Sequence, residues 1–402
     1  MIAHGHRRHY MLLLAASFFW GTTGTQLTLL AAVLRQRGIS EPVIAMILSS
    51  SSVSVVVAAM ISGVLASRIG AVRTLVLGAL ISCAAIAALP FAVGSAPLAV
   101  LAKAGQGFGF GLFTPAGQLF AKSRARAEDQ IRAVAWFSGM TMIPSFFGPS
   151  LGEWSLHSLG EEGFFLLALI PIAIASAIVR ILPRDCETTL PPTASGYLRL
   201  LRDRAVWLPN AVTVQSGLAY GFAYCFLPLM LIDHGTPVGA FFGPFAVAVL
   251  TTRFLGLKYL QRLAPPHLAM LGLLAFVVGL AILALSETSI AAAVAGCLAA
   301  LGYGVIHPTC VEWASHCYPP AARARPVALI NTSFHIGSIV SAQLTGWTLA
   351  VLGWHGVLTT LATIIVLVMA VIAALEKRQG SWRDRGSEFF LRCPQRRQAV
   401  SS

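Results

Sequence analysis

Charged residues are scarce in this chain, and acidic residues are the scarcest. Aspartate, glutamate, lysine and arginine together make up 11% of the 402 residues, against roughly 25% in soluble domains. Hydrophobic residues make up 56%, and the mean hydropathy is +0.77. A soluble core cannot bury that much apolar surface. The composition therefore predicts an integral membrane protein.

Several motifs of catalytic and nucleotide-binding proteins are also missing. The sequence contains no Gly-Lys-Ser or Gly-Lys-Thr phosphate loop, which argues against ATP as a driving force. No nucleophile elbow in its strand–turn–helix context and no zinc-protease helix is visible. The seven cysteines are scattered, mostly inside apolar runs, and no spacing predicts a disulfide framework. We expect no enzymatic activity, no cofactor and no metal centre.

Two short stretches nearly repeat each other half a chain apart. Residues 109–115 and 302–308 both read Gly, aromatic, Gly, three further residues and Pro, at an offset of 193 positions. Arg68 and Arg262, which each end a long apolar run, are 194 apart. Repetition on this scale predicts two similar halves, an arrangement typical of transporters with a site at the bilayer midplane.

Twelve apolar runs are long enough to cross a bilayer as helices. These predicted spans, numbered 1 to 12, cover residues 10–34, 42–66, 73–94, 98–121, 133–154, 163–182, 206–231, 238–256, 267–286, 290–314, 327–350 and 355–376. We predict an all-α membrane protein with twelve transmembrane helices in two pseudo-symmetric six-helix bundles. The predicted parts are a first bundle over 1–182, a cytoplasmic linker over 183–205, a second bundle over 206–376 and a basic tail over 377–402.

Lysine and arginine are concentrated on one side of the predicted bilayer. The segments on the other side contain only Arg35 and Arg37 and collect acids instead. Those acids are Glu41, Glu161, Glu162, Asp233 and Glu287. Since positive residues mark cytoplasmic loops, we predict a multi-pass protein of a cell membrane, expected to be a bacterial inner membrane, with both termini in the cytoplasm. This placement explains the net charge of +13 without a nucleic-acid partner. The tail could contact anionic lipid or be a disordered basic end.

Three motifs resemble those of the major facilitator superfamily, and the resemblance extends over essentially all of 10–376. Residues 63–73 are similar to the family's loop motif Gly-x-Leu-Ala-Asp-Arg-x-Gly-Arg-Arg, with Ser67 in place of the aspartate. Residues 103–107 are similar to its Arg-x-x-Gln-Gly motif, with lysine replacing arginine. Residues 148–152 resemble the Gly-Pro-x-x-Gly motif associated with exporters of the antiporter type.

This resemblance implies two bundles that rock around a central site. In the family, spans 1, 4, 7 and 10 face that cavity. It also implies a charge network at the inner face, which the loss of the aspartate at Ser67 puts in question. The residues expected to bear on gating are Arg68, Arg73, Arg262, Arg323, Gly148 and Pro149.

Few ionisable residues lie within the predicted spans, and such residues are costly in lipid. Lys103 in span 4 shares a helix face with Gln106 and Phe110. It could bind an anionic substrate group or couple to protonation; alternatively, it could extend along the helix to the interface. Span 1 offers Trp20 and Gln26, and span 7 offers Tyr220 and Tyr224. These four could line a substrate pocket or serve in helix packing.

Two histidines in the second half fall at similar depth. His307 in span 10 and His335 in span 11 could share a proton, bind substrate, ligate a metal or be unrelated residues bonded locally. Glu312 could serve in a proton relay or in an ion pair with Arg323 or Arg325.

These observations favour a secondary transporter that exports a small metabolite, drug or metallophore by proton antiport. Its expected partners are a small-molecule substrate, protons and membrane lipid, and it is expected to be a monomer. Two alternatives are proton-coupled uptake of a small organic anion, favoured by Lys103, and a non-transporting membrane sensor, favoured by Ser67.

Overall fold

The structure, a computed structural model, is helical throughout almost all of the chain that it describes. The described residues are 7–126, 129–183, 204–252, 265–316, 318 and 324–377. The helices are α1 (Arg7–Gln26), α2 (Leu30–Gln36), α3 (Glu41–Ile69), α4 (Ala71–Ala92), α5 (Ala96–Arg124), α6 (Gln130–Met142), α7 (Gly148–Arg180), α8 (Arg204–Cys225), α9 (Leu227–Asp233), α10 (Gly239–Thr251), α11 (Pro265–Leu285), α12 (Ser289–His316) and α13 (Ala324–Lys377). Short 3₁₀ turns, Leu27–Leu29 and Ile143–Phe146, join α1 to α2 and α6 to α7. The all-α prediction is confirmed.

For reference, α1–α7 are called the N-terminal half and α8–α13 the C-terminal half. The predicted bundle boundaries remain predictions. Most of the linker (184–203) and nearly all of the tail (378–402) lie outside the described residues.

Six helical stretches are long and apolar enough to cross a membrane, or seven if α8 and α9, bent by 46°, count as one span. Two of the six are each 49 residues long and contain a break. These breaks are at Gly160 (φ 72°) and Gly353 (φ 67°), in a region of backbone space that favours glycine. They separate predicted spans 5 and 6, and spans 11 and 12.

At Gly160 the chain folds back on itself. A Cβ on Gly152 would lie 2.8 Å from the carbonyl oxygen of Gln26. The Gln26 side-chain amide donates to the carbonyl of Phe164 at 3.2 Å. In an unbroken helix, residues 152 and 164 would be about 18 Å apart along the axis. Both contacts to Gln26 therefore require a reversal between them.

The sequence repeat corresponds to a repeated helix crossing. A Cβ on Gly109 would lie 2.4 Å from the carbonyl oxygen of Gly78, so α5 and α4 touch backbone to backbone. A Cβ on Gly302 would lie 2.7 Å from the carbonyl oxygen of Gly272, which joins α12 and α11 in the same way. Small residues allow this close approach where lipid provides no hydrophobic drive. The two copies of the motif therefore perform equivalent packing in the two halves.

Large apolar side chains are exposed on the outside of the helices. Phe91 is 85% exposed, Leu285 84% and Val351 76%. A water-soluble protein rarely leaves such residues open in numbers. With the long apolar helices, they indicate a surface that faces lipid.

Candidate substrate site between the two halves

Lys103 is a buried cation on α5. It is 8% exposed, and its ammonium group donates to the side-chain oxygen of Gln106 at 2.7 Å. The two residues are three apart, so helix geometry places them on one face. Lys103 also lies within electrostatic range of the Cys225 thiol at the end of α8. The side chain is thus held inside the protein, facing the other half.

The predicted tyrosine pair in α8 belongs to a larger aromatic cluster. The Tyr220 ring stacks on Tyr224 with centroids 4.1 Å apart and on Tyr303 at 5.0 Å, and it lies 5.1 Å from Phe334. The Tyr224 hydroxyl is 3.0 Å from the Ser145 hydroxyl of the N-terminal half. We call Tyr220, Tyr224, Tyr303 and Phe334 the tyrosine cluster. It lies in the C-terminal half and reaches across to the other.

The sequence did not single out Tyr303 or Phe334. The repeat contained the signal for Tyr303, because this residue occupies the aromatic position of the second copy, as Phe110 does in the first. The structure shows the same relationship twice. Phe110 lies 6.3 Å from Trp20 of α1, and Tyr303 lies 5.0 Å from Tyr220 of α8.

The two candidates in α1 lie mainly within helix packing. Trp20 is 6% exposed and stacks on Phe113 at 4.2 Å. Gln26 is fully buried and bonds to α7. Its side-chain oxygen has no hydrogen-bond partner within the described chain. Both help to hold the N-terminal half together, and their role in substrate binding stays a prediction.

Phe334 brings the two candidate histidines to one place. The His307 ring lies 5.9 Å from Phe334 and the His335 ring 5.7 Å from it, and both histidines are partly accessible. Glu312 is exposed. The side chains of its predicted partners, Arg323 and Arg325, lie outside the described part. No group of three or more potential metal-binding His, Cys, Asp or Glu side chains occurs among the described residues.

The predicted gating residues fall into two groups. Gly148 and Pro149 begin α7 where it crosses α1, and a Cβ on Gly148 would lie 2.0 Å from the Thr25 hydroxyl oxygen. The Gly-Pro-x-x-Gly motif therefore begins with a close contact between α7 and α1. Arg68 and Arg73 are exposed, and neither forms an ion pair with another described residue. Arg262 and Arg323 lie outside the described residues.

The comparisons with known proteins agree with this architecture. The family model of the Major Facilitator Superfamily matches residues 11–294 and 245–399. The chain belongs to this superfamily. No curated protein matches it in sequence.

Solved structures of transporters share the fold. The nucleoside transporter NupG is 14% identical, with a TM-score of 0.74, 92% of this chain covered and 99% of that one. A bacterial homolog of the human lysosomal transporter Spinster, in an inward-facing and unoccupied conformation, is 16% identical (TM-score 0.71; coverage 92% and 96%). An auto-inhibited POT family peptide transporter is 14% identical (TM-score 0.69; coverage 93% and 97%). This facilitator-type chain is a multi-pass membrane transporter, not an enzyme.

In this facilitator fold the two halves meet at the end where predicted spans 1 and 7 finish. Arg35 of α2 makes a two-point ion pair with Asp233 of α9, and the indole N–H of Trp354 donates to the same carboxylate at 2.8 Å. The hydrogen bond to Asp233 is the largest influence on Arg35 and raises the pKa of its guanidinium. We call Arg35, Asp233 and Trp354 the terminal clamp. The positive-inside distribution predicts that it lies on the outer face.

A polar seam continues the contact between the halves. The Gln343 side-chain amide of α13 donates to the Ser49 hydroxyl of α3 at 2.8 Å, and the Ser52 and Ser338 hydroxyls are 3.5 Å apart. A Cβ on Gly346 would lie 2.7 Å from the Glu41 carbonyl oxygen. The halves are therefore in close contact from the terminal clamp inward.

Proposed function

We propose that the chain is a secondary active transporter that moves a small organic solute through a site between its halves by alternating access. One observation carries this proposal. Lys103 on one half lies within electrostatic range of Cys225 on the other, beside the tyrosine cluster. A buried cation lies on one half and an aromatic cluster lies on the other, and the Tyr220 and Tyr224 rings of that cluster are partly accessible. In transporters of this kind the substrate site lies between the halves. Few polar groups among many apolar ones are what a small-molecule site requires.

For direction and coupling, we propose export in exchange for protons. The Gly-Pro-x-x-Gly resemblance at 148–152 supports export, and the close contact of Gly148 with Thr25 gives the motif a physical role between α7 and α1. His307 and His335 support proton coupling, since an imidazole can take up and release a proton. We propose a monomer in the bacterial inner membrane with both termini in the cytoplasm.

Comparison of a deletion strain with its parent tests this direction. Both strains are grown against a panel of compounds that includes nucleosides and small peptides, and solutes are measured inside and outside the cells. Accumulation inside the deletion strain supports export. In everted vesicles with an acidified lumen, antiport predicts that solute added outside makes the lumen less acidic when the protein is present. A luminal pH that does not respond to a transported solute would contradict antiport.

Proton-coupled uptake of a small organic anion is the second candidate, and buried Lys103 specifically favours it. Under this alternative the deletion strain is depleted of the anion rather than loaded with it. A membrane sensor, suggested by Ser67, binds solute without moving it. Solute counterflow in proteoliposomes separates a sensor from both transporters.

A further inference from the structure

The charge and the aromatic groups of the central site together restrict what it can bind. We propose that it takes a planar aromatic monocarboxylate, with the carboxylate against Lys103 and the ring against the tyrosine cluster. This proposal rests on the proposed function in one respect, namely that the space between the halves is a solute site. It goes beyond that function by naming the substrate class.

The charge requirement follows from the surroundings of Lys103. Its ammonium carries three donors, and Gln106 accepts from it at 2.7 Å. Within the described chain, no carboxylate pairs with Lys103. A buried charge without an opposite charge is costly. A bound carboxylate supplies both the missing charge and the missing acceptors, whereas a cationic solute would add repulsion.

The aromatic requirement follows from the rings on the facing half. Tyr220 is surrounded by protein and nevertheless remains partly accessible, as is His335. Side chains with both properties line an internal space rather than a packed core. Tyr220 already stacks on Tyr224 and Tyr303. Aromatic pairs contribute about 0.5–1.5 kcal/mol beyond their buried area, so a flat ring gains more here than a puckered one.

The position of Cys225 shows that the Lys103 ammonium and the tyrosine cluster are near each other. Cys225 lies within electrostatic range of Lys103 on one side and of Tyr220 on the other. Phe110 shares the α5 face of Lys103 and is also partly accessible. One small molecule can therefore engage the ammonium and the rings together.

Equilibrium binding to the purified full-length protein tests the proposal with four probes. 1-Naphthoate carries the ring and the anion, cyclohexanecarboxylate the anion alone, 1-naphthalenemethanol the ring alone, and 1-naphthylmethylamine the ring with a positive charge. We expect naphthoate to bind most tightly and the amine most weakly. An amine that binds as tightly as naphthoate would overturn the proposal.

Substitutions at Lys103 and Tyr220 test separately which residue binds the carboxylate and which binds the ring. Lys103→Gln removes the charge and keeps a polar side chain, and it should weaken naphthoate by roughly 10- to 100-fold, the range for a lost charged hydrogen bond. It should leave naphthalenemethanol unchanged. Tyr220→Leu should weaken naphthoate and naphthalenemethanol but not cyclohexanecarboxylate, and Tyr220→Phe should retain naphthoate. Lys122→Gln, an exposed site on the same helix, is the matched control. Unchanged naphthoate affinity in a folded Lys103→Gln variant contradicts the proposal.

Counterflow in proteoliposomes tests the transport proposal separately from the proposal about the substrate class. Binding of naphthoate with the expected variant pattern, but without counterflow, overturns transport and retains the ligand class. Transport of another solute that naphthoate does not inhibit overturns the ligand class and retains transport.

Discussion

Arg35 and Asp233 join the two halves of this facilitator protein across 198 positions of sequence. Both nitrogens of the guanidinium fork contact the carboxylate, and the indole of Trp354 donates to it as well. A single acidic side chain thus holds α2, α9 and the last part of α13 at one point. If the halves rock apart to expose the site on this face, these contacts must break first.

Asp233→Asn should therefore shift the protein toward the conformation that is open at the clamp. The Arg35 side chain is 35% exposed, so solvent screens the pair. An exposed pair contributes about 0.2–1 kcal/mol, which corresponds to a shift of roughly 1.4- to 5-fold in the ratio of closed to open states. The measurement is the labelling rate of a Ser338→Cys reporter by an impermeant maleimide, in a background without native cysteines. Ser338 is only 7% exposed in the closed arrangement.

Glu161→Gln is the control for this experiment. Glu161 pairs with Arg37 at 2.8 Å, and both residues belong to the N-terminal half. Its loss removes an ion pair of the same kind without releasing the halves, so the labelling rate should not change. Equal rates in the Asp233 variant and the parent would show that the clamp does not hold this face closed.

A disulfide across the seam should stop transport. Ser52→Cys and Ser338→Cys would place thiols where two hydroxyls are now 3.5 Å apart, on α3 and α13 of opposite halves. Oxidation should abolish solute flux, and reduction should restore it. In the control, Thr213→Cys is paired with native Cys310, which contacts Thr213 within the C-terminal half. That link should leave flux intact. Full flux through a protein cross-linked at the seam would exclude rocking at this interface.

The sequence was sufficient for the fold because the fold depends on repeated local patterns. Apolar runs predicted the helices, and the duplicated glycines marked the α4–α5 and α11–α12 crossings. The breaks at Gly160 and Gly353 fall between predicted spans. The clamp could not be predicted in this way, because no local pattern relates Arg35 to Asp233. The candidate site lies between these cases: Lys103 and Tyr220 stood out as unusual residues in apolar helices, but only the structure brings them near Cys225.

Gly148→Ala should destabilise the protein through its contact with α1. The new Cβ would lie 2.0 Å from the Thr25 hydroxyl oxygen and 2.8 Å from the Thr25 Cβ. Overpacking of this kind costs about 1–3 kcal/mol. The midpoint of thermal unfolding in detergent should fall, with a loss of transport. Gly24→Ala in α1 is the control, since nothing lies within 4 Å of a Cβ there. A Gly148 variant as stable as the Gly24 variant would show that the two helices can separate at this contact without cost.

His335→Gln should uncouple solute movement from proton movement. His335 lies inside the molecule beside Phe334, within reach of the ring that His307 also contacts. Glutamine retains hydrogen bonding but cannot take up a proton, so a carrier that couples through this group should lose the proton movement that accompanies solute movement. A pH-sensitive dye inside proteoliposomes measures protons moved per solute. His355→Gln, an exposed site on the same helix, is the control. Unchanged proton movement in the His335 variant would assign coupling elsewhere and leave His335 as a packing residue of the tyrosine cluster.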